Sequence, residues 1–119
     1  MGEILIVDDQ AGIRLLLNEV FKKEGYNTHI ASNGHEALEI FNQNKLDCIL
    51  LDIKMPGIDG IEVLTQIRAT DQSVPVFMMT AYGEKELVDM ATKLDVKQFF
   101  TKPFNIFEVR DHINKLLNT

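Results

Sequence analysis

The stretch ILLDIKMPGIDG, residues 49–60, carries the pattern on which the interpretation of the whole chain depends. It opens with the apolar run ILL, which is typical of a strand buried on both faces in a parallel sheet. Asp52 interrupts this run, and a loop-like Met-Pro-Gly segment follows shortly after. Because an unpaired charge is costly to bury, a buried strand that ends in a carboxylate indicates a site at the end of that strand.

The rest of the chain alternates short apolar runs with helix-like periodicity. The runs that predict strands are residues 3–7, 28–31, 47–51, 74–79 and 97–101. In the first helical segment the apolar residues that fall on one face are Ile13, Leu16, Leu17, Val20 and Phe21. The alternation predicts an α/β fold: a doubly wound five-stranded parallel sheet with (βα)₅ connectivity and the strand order 2-1-3-4-5.

Three later helices are expected to begin with one polar signature, in which Asn or Asp is followed by Glu at the third position. The pairs are Asn33 with Glu36, Asp59 with Glu62, and Asn105 with Glu108. Such pairs satisfy free backbone N–H groups in the first turn of a helix, so we expect helices to start at these residues.

Size and composition exclude several classes of protein. The chain has 119 residues and a formal net charge of −6, which predicts a single domain over residues 1–119 and disfavours nucleic-acid binding. No stretch approaches the roughly 18 apolar residues of a membrane span, so we expect no membrane association. The one cysteine, Cys48, lies in an apolar run, which predicts a buried thiol and a cytoplasmic protein.

Polar side chains stand at the ends of four predicted strands. Asp8 and Asp9 follow the first strand, Asp52 the third, Thr80 the fourth and Lys102 the fifth. Each alone is also typical of a helix cap or a solvated turn. Together they predict a site, because the carboxyl ends of parallel strands share one edge, and sites form where the strand order reverses.

The chemistry of this set favours phosphoryl transfer. Three carboxylates in one crevice repel one another, and Mg²⁺ offsets this repulsion while keeping positions free for water or phosphate oxygens. A carboxylate can act as a nucleophile and form an acyl phosphate. Mg²⁺ and a lysine would balance the charge on the transferring group, and a threonine hydroxyl would donate to one of its oxygens.

The ordered motifs VDD (7–9), LLDIKMPGIDG (50–60), MTAYG (79–83) and KPF (102–104) span the whole chain. With them the sequence resembles the bacterial response-regulator receiver family, which implies a flavodoxin-like receiver fold. The closer resemblance is to the single-domain receivers of sporulation phosphorelays, which implies a role in the control of sporulation.

The resemblance implies a role for each residue of the proposed Mg²⁺ site. Asp52 would be the phosphoacceptor and also a Mg²⁺ ligand. Asp9 would bind Mg²⁺ directly and Asp8 partly through water, while the backbone carbonyl of Lys54 would supply a further ligand.

The resemblance also assigns the residues around the phosphoryl group. Thr80 and Lys102 would bind its oxygens, and the Lys102-Pro103 peptide is expected to be cis. Phe99 occupies the position of the family's switch aromatic, which is often Tyr. Since phenylalanine has no hydroxyl, Phe99 is either a switch that does not use a hydroxyl or a core residue of the last strand.

The phosphoryl donor would be a phosphohistidine on a sensor histidine kinase. The chain ends at Thr119 without a DNA-binding module, so we expect output through protein contacts or through onward transfer of the phosphoryl group. The resemblance favours transfer to a histidine phosphotransferase, and we expect the protein to be a monomer. The residues expected to bind such partners are Gln10, Gly12, Ile13, Leu16, Tyr82, Pro103 and Phe104. For two of them, Ile13 and Leu16, the helical pattern favours a position in the core, so we expect part of this patch to be buried.

Two other functions remain open at this stage. The chain could be a stand-alone binding module, as in motility receivers, in which phosphorylation changes partner affinity and the phosphoryl group is not passed on. It could also be an aspartate-nucleophile phosphatase, but such enzymes of the dehalogenase type carry a second Asp where this chain has Lys54. We therefore expect a phosphoryl-accepting intermediate rather than a turnover enzyme.

Overall fold

A computed structural model of the chain describes residues 2–118. Five strands and five helices alternate along this part of the chain. They are β1 (Glu3–Val7), α1 (Ala11–Lys23), β2 (Asn27–Ala31), α2 (Gly34–Gln43), β3 (Cys48–Asp52), α3 (Gly60–Thr70), β4 (Val76–Thr80), α4 (Lys85–Thr92), β5 (Gln98–Thr101) and α5 (Ile106–Leu117). Across residues 2–118, every helix is too short or too polar to cross a bilayer.

The strands form one parallel sheet in the order β2-β1-β3-β4-β5, which confirms the predicted topology. In the register of the sheet, Val7 at the end of β1 lies beside Ala31 of β2 and Leu51 of β3. The strand order therefore reverses around β1 and β3. As a result, the loops that follow these two strands diverge and leave a crevice at the carboxyl edge of the sheet.

Two apolar cores cover the two faces of the sheet. Leu5 and Val7 of β1 belong to the core under α2, α3 and α4, whereas Ile4 and Ile6 belong to the core under α1 and α5. This alternation explains why β1 is apolar at successive positions: each face of the strand packs against its own helical layer.

The predicted apolar face of α1 is wrong at one position. Leu17 and Phe21 are fully buried, but Leu16 is 54% exposed. Ile13 is partly buried against the core under α1 and α5. A run of three leucines fits several helical faces, and packing against β1 and α5 selects the one centred on Leu17.

All three expected helix starts are confirmed, with Asn33, Asp59 and Asn105 directly before α2, α3 and α5. The side chains of Asn33 and Asp59 accept hydrogen bonds from the backbone N–H groups three residues on, at Glu36 and Glu62. Asn105 instead accepts from the N–H of Phe107, two residues on, at 2.9 Å. The polar signature therefore identifies the start of each helix but not the individual hydrogen bond.

Arg68 of α3 connects α3 to the loops that precede β4 and follow α4. Its guanidinium donates at 2.8 Å to the carbonyl oxygens of Val74, Leu94 and Asp95, and at 3.2 Å to that of Asp71. Hydrogen bonds from a charged donor are stronger than neutral ones, so this residue holds the carboxyl end of α4 against α3.

Gly60, the first residue of α3, lies directly against the end of β3. A Cβ atom there would overlap the carbonyl oxygen of Asp52 and lie 2.8 Å from the Cα of Ile53. The backbone is also fixed at this point, because the Gly60 N–H donates to the Ile53 carbonyl oxygen at 2.9 Å. Only glycine fits between α3 and β3 at this position.

We expect Gly60→Ala to lower the free energy of unfolding by about 2–3 kcal/mol, because backbone atoms cannot move aside as a flexible side chain can. Urea denaturation followed by circular dichroism measures this change. Gly12→Ala is the matched control, since a Cβ at Gly12 in α1 meets nothing within 4 Å. Equal stabilities of the two variants would contradict the predicted overlap.

Candidate functional site

The carboxyl edge of the sheet brings together the polar residues that the sequence singled out. Asp8 and Asp9 follow β1, and Lys102 follows β5. Asp52 and Thr80 are the last residues of β3 and β4 rather than the first residues after them. Their place within the strands explains why both are buried, with relative exposures of 5% and 4%.

Three carboxylates form a cluster in the crevice between β1 and β3. Asp8, Asp9 and Asp52 each contribute one oxygen atom, and these three atoms lie within 4.8 Å of one another. Asp8 and Asp52 are buried, and Asp9 is exposed. Negative charges this close repel strongly when two of them are removed from water, so the arrangement favours a cation.

Lys102 supplies one positive charge to this cluster. Its Nζ lies 2.9 Å from Oδ2 of Asp8 and 3.3 Å from Oδ2 of Asp52. The contact with Asp8 has the distance of an ion pair but not the angles of a hydrogen bond, so Oδ2 of Asp8 is buried without a hydrogen-bond partner. The Lys102-Pro103 peptide is cis, as expected.

The electrostatics of the site show that its negative charge is only partly balanced. Burial raises the pKa of Asp52 to about 7; the charge of Asp8 adds to this rise, and the Lys102 ammonium opposes it. Burial alone would lower the pKa of Lys102, but its contacts with Asp8 and Asp52 outweigh this effect and raise it. One ammonium therefore does not compensate for three carboxylates.

The residues present fit a hard divalent cation. A buried carboxylate oxygen without a hydrogen-bond partner and two neighbouring carboxylates are the oxygen ligands that Mg²⁺ prefers. Lys54 lies in the loop after β3 with its side chain exposed, and its carbonyl oxygen as a ligand remains a prediction.

Phe99 of β5 is half-buried and packs against the core under α2, α3 and α4. This is the environment expected of a core phenylalanine in the last strand. Its role as a switch remains a prediction.

An apolar cavity of about 430 Å³ opens beside Lys102. It is lined by Gln10, Ile13, Leu16, Ala81, Lys102, Pro103, Phe104 and Ile106. Five of the seven predicted partner-binding residues are in this set. Of the other two, Gly12 is exposed on α1, and Tyr82 follows Ala81 with 99% of its surface exposed.

The sequence analysis did not identify Ala81 and Ile106 as part of this surface. Ile106, the first residue of α5, packs against the core under α1 and α5 while also lining the cavity. Ala81 carries no polar or reactive group, so the only feature of the sequence that could have indicated its place in the cavity is its position directly after Thr80.

We expect Asp52→Asn to stabilise the protein in the absence of divalent cations. The pKa of Asp52 is about 7 in the folded state, above its ordinary value near 4. The unfolded chain therefore loses this proton first, and stability falls as the pH rises between these two values.

The gain from Asp52→Asn should thus be small at pH 4 and reach about 2 kcal/mol at pH 8, as measured by urea denaturation in EDTA. Asp89→Asn, at an exposed carboxylate of α4 paired with Lys85, is the control and should show no such rise. A gain for Asp52→Asn that is independent of pH would contradict the prediction.

Comparison with known sequences identifies the family. The sequence model of the family described as the response regulator receiver domain matches residues 4–114 of this chain. Sporulation initiation phosphotransferase F of Bacillus subtilis (strain 168) is 50% identical over 115 residues, which cover 97% of this chain and 93% of that protein. Regulatory protein AtoC of Escherichia coli (strain K12) is 37% identical over 98% of this chain, which spans only 25% of that protein.

Solved structures agree with this result. The receiver domain of NtrX from Brucella abortus is 30% identical, with a TM-score of 0.88 and 98% of each chain covered. Chemotaxis response regulator CheY4 of Vibrio cholerae is 26% identical, with a TM-score of 0.89 over 98% of this chain and 99% of the other. The chain, with its acidic crevice at the carboxyl edge of a 2-1-3-4-5 sheet, belongs to the response regulator receiver domain family.

Proposed function

We propose that this receiver takes a phosphoryl group from a sensor histidine kinase onto Asp52 and passes it to a histidine phosphotransferase in the control of sporulation. The observation that carries the proposal is the cluster of Asp8, Asp9 and Asp52 within 4.8 Å, with the Lys102 ammonium 3.3 Å from Asp52. The 50% identity to a sporulation initiation phosphotransferase supports the biological role.

The reaction needs little covalent chemistry from the protein. A carboxylate oxygen of Asp52 attacks the phosphorus of the phosphohistidine, the P–N bond breaks, and the departing imidazole nitrogen takes up a proton. The product is an aspartyl phosphate, and the reverse attack by the histidine of a phosphotransferase regenerates the carboxylate. Each transfer moves one phosphoryl group between a nitrogen and an oxygen, with no net hydrolysis.

The residues around Asp52 hold the transferring group and balance its charge. Lys102, which lies 3.3 Å from Asp52, would bind one phosphoryl oxygen, and the hydroxyl of Thr80, at the end of the neighbouring strand, would donate to another. Mg²⁺ held by the three carboxylates and the carbonyl of Lys54 would neutralise charge on the phosphoryl group.

The apolar cavity beside the site is suited to a partner that must bring a histidine to Asp52. Leu16 on α1 and Phe104 after β5 provide apolar contacts on the same surface as Lys102. A helical bundle that presents its histidine from one face could pack here while the imidazole reaches the crevice. The surface thus serves both the donor kinase and the acceptor phosphotransferase.

The first prediction of this proposal concerns uptake of the phosphoryl group. Treatment with acetyl phosphate and Mg²⁺ should add the mass of one phosphoryl group to the wild type and none to Asp52→Ala, as measured by intact-mass spectrometry. EDTA should suppress the addition. Asp89→Ala removes an exposed carboxylate on α4 and should be labelled like the wild type. Labelling of Asp52→Ala to the wild-type level would rule out Asp52 as the acceptor.

The second prediction concerns transfer to the partner. Leu16→Glu should slow transfer of label to a sporulation histidine phosphotransferase by about tenfold, because it places a charge in the apolar contact surface. Its uptake of phosphoryl groups from acetyl phosphate should not change. Leu15→Glu is a closely matched control, since Leu15 is similarly exposed at 57% but does not line the cavity.

The same experiment separates the relay from the alternative of a binding module. A wild-type protein that kept its label in the presence of active phosphotransferase would contradict the relay and favour a module that signals only by changed affinity. Equal transfer rates for the Leu15 and Leu16 variants would contradict the proposed contact surface while leaving phosphorylation of Asp52 intact.

A further inference from the structure

Asp8 makes three hydrogen bonds through its backbone and its side chain. Its N–H donates to the Ala31 carbonyl oxygen at 3.2 Å, which extends the pairing of β1 with β2. Its Oδ1 accepts from the N–H of Gln10 at 2.9 Å. Its carbonyl oxygen accepts from Nη1 of Arg14 at 2.7 Å, the shortest of these contacts. Among residues 2–118, Arg14 is the one side chain that donates a hydrogen bond to the backbone of Asp8.

The carbonyl group that Arg14 binds belongs to the peptide that joins Asp8 to Asp9. Since a peptide unit is planar, fixing the direction of its C=O also fixes its N–H and the Cα of the next residue. Arg14 therefore sets the starting point of the Asp9 side chain. Asp8 and Asp52 are buried, but Asp9 is exposed, so packing against the core does not fix the position of the Asp9 side chain.

Helix stability does not explain an arginine at this position. Arg14 is the fourth residue of α1, close to the amino end of the helix, where the partial positive charge of the backbone disfavours a cationic side chain. The first turn of α1 contains no acidic residue that would offset this effect. The guanidinium instead reaches back past the start of the helix to the carbonyl oxygen of Asp8.

We propose that Arg14 is a positioning residue for the divalent-cation site. It holds the Asp8–Asp9 peptide so that the carboxylate of Asp9 reaches the same cation as those of Asp8 and Asp52. This inference rests on the proposed function, because the cation site is part of that proposal.

The two effects of Arg14 on a bound cation have opposite signs. Its positive charge repels the cation, so removal of an uninvolved arginine near the site would tighten cation binding. Its hydrogen bond orders a ligand, so removal of a positioning arginine would weaken cation binding. The sign of the change therefore separates positioning from a simple effect of charge.

The test measures Mn²⁺ binding to the purified chain by electron paramagnetic resonance, with Mg²⁺ as competitor. Arg14→Met keeps the length of the side chain and removes the guanidinium, and it should weaken binding about tenfold, as loss of an outer hydrogen bond to a ligand does. Arg14→Lys keeps a charged donor and should recover part of the loss.

Arg110→Met is the matched control for loss of one positive charge. Arg110 lies on α5, where its guanidinium stacks 4.9 Å from the centre of the Phe107 ring and pairs with Asp111 at 2.9 Å. This substitution should leave Mn²⁺ affinity within about twofold of the wild type, because the Arg110 guanidinium is engaged by Phe107 and Asp111 and salt screens its remaining effect on the site. Thermal unfolding in EDTA identifies any variant that does not fold.

If Arg14→Met does not fold, Arg14→Lys decides the question: positioning predicts weaker binding than in the wild type, and a charge effect predicts no change. Binding by an Arg14 variant that equals or exceeds that of the wild type would overturn the inference while leaving the proposed function standing. A wild type that does not bind Mn²⁺ or Mg²⁺ would contradict the proposed function itself, and this inference with it.

Discussion

The repulsion among three carboxylates at one edge of the sheet is the constraint around which this molecule is arranged. Asp8 and Asp52 are buried by the strands that carry them, and a single ammonium, from Lys102, lies between them. Burial raises the pKa of Asp52, and the charge of Asp8 adds to this rise despite the nearby ammonium. The negative charge of the crevice is therefore only partly neutralised, and this shortage of positive charge makes the three carboxylates compatible with Mg²⁺.

Parallel topology makes this concentration of charge possible. Four of the five strands, β1, β3, β4 and β5, end in or are followed by a polar residue of the site, and their apolar residues pack into the cores on the two faces of the sheet, so the core supports the site without entering it. Gly60 shows how closely the core and the site are linked. The first residue of α3 lies against the carbonyl of Asp52, so the start of that helix and the end of β3 fix one another.

Much of this arrangement could be predicted from local sequence. Five apolar runs located the strands to within two residues, and the motifs at four strand ends located the crevice. The failures have physical causes: at Leu16, three adjacent leucines left the buried face of α1 to be chosen by packing. Arg14 went unnoticed because its partner is a backbone carbonyl, which leaves no mark on the pattern of residues. Ala81 contributes to the apolar cavity only through its position after β4.

The hydrogen bonds of Arg68 affect how a structural change at the acidic crevice would be transmitted to α4. Its hydrogen bonds to Leu94 and Asp95 hold one end of α4, while the opposite end is joined to the loop after Thr80 by the Glu84 carboxylate, which accepts from the Ala81 N–H at 2.6 Å. The two ends of α4 are therefore held by different parts of the structure. A shift of the loop after β4 would therefore be transmitted to the amino end of α4 rather than to its carboxyl end, which Arg68 holds to α3.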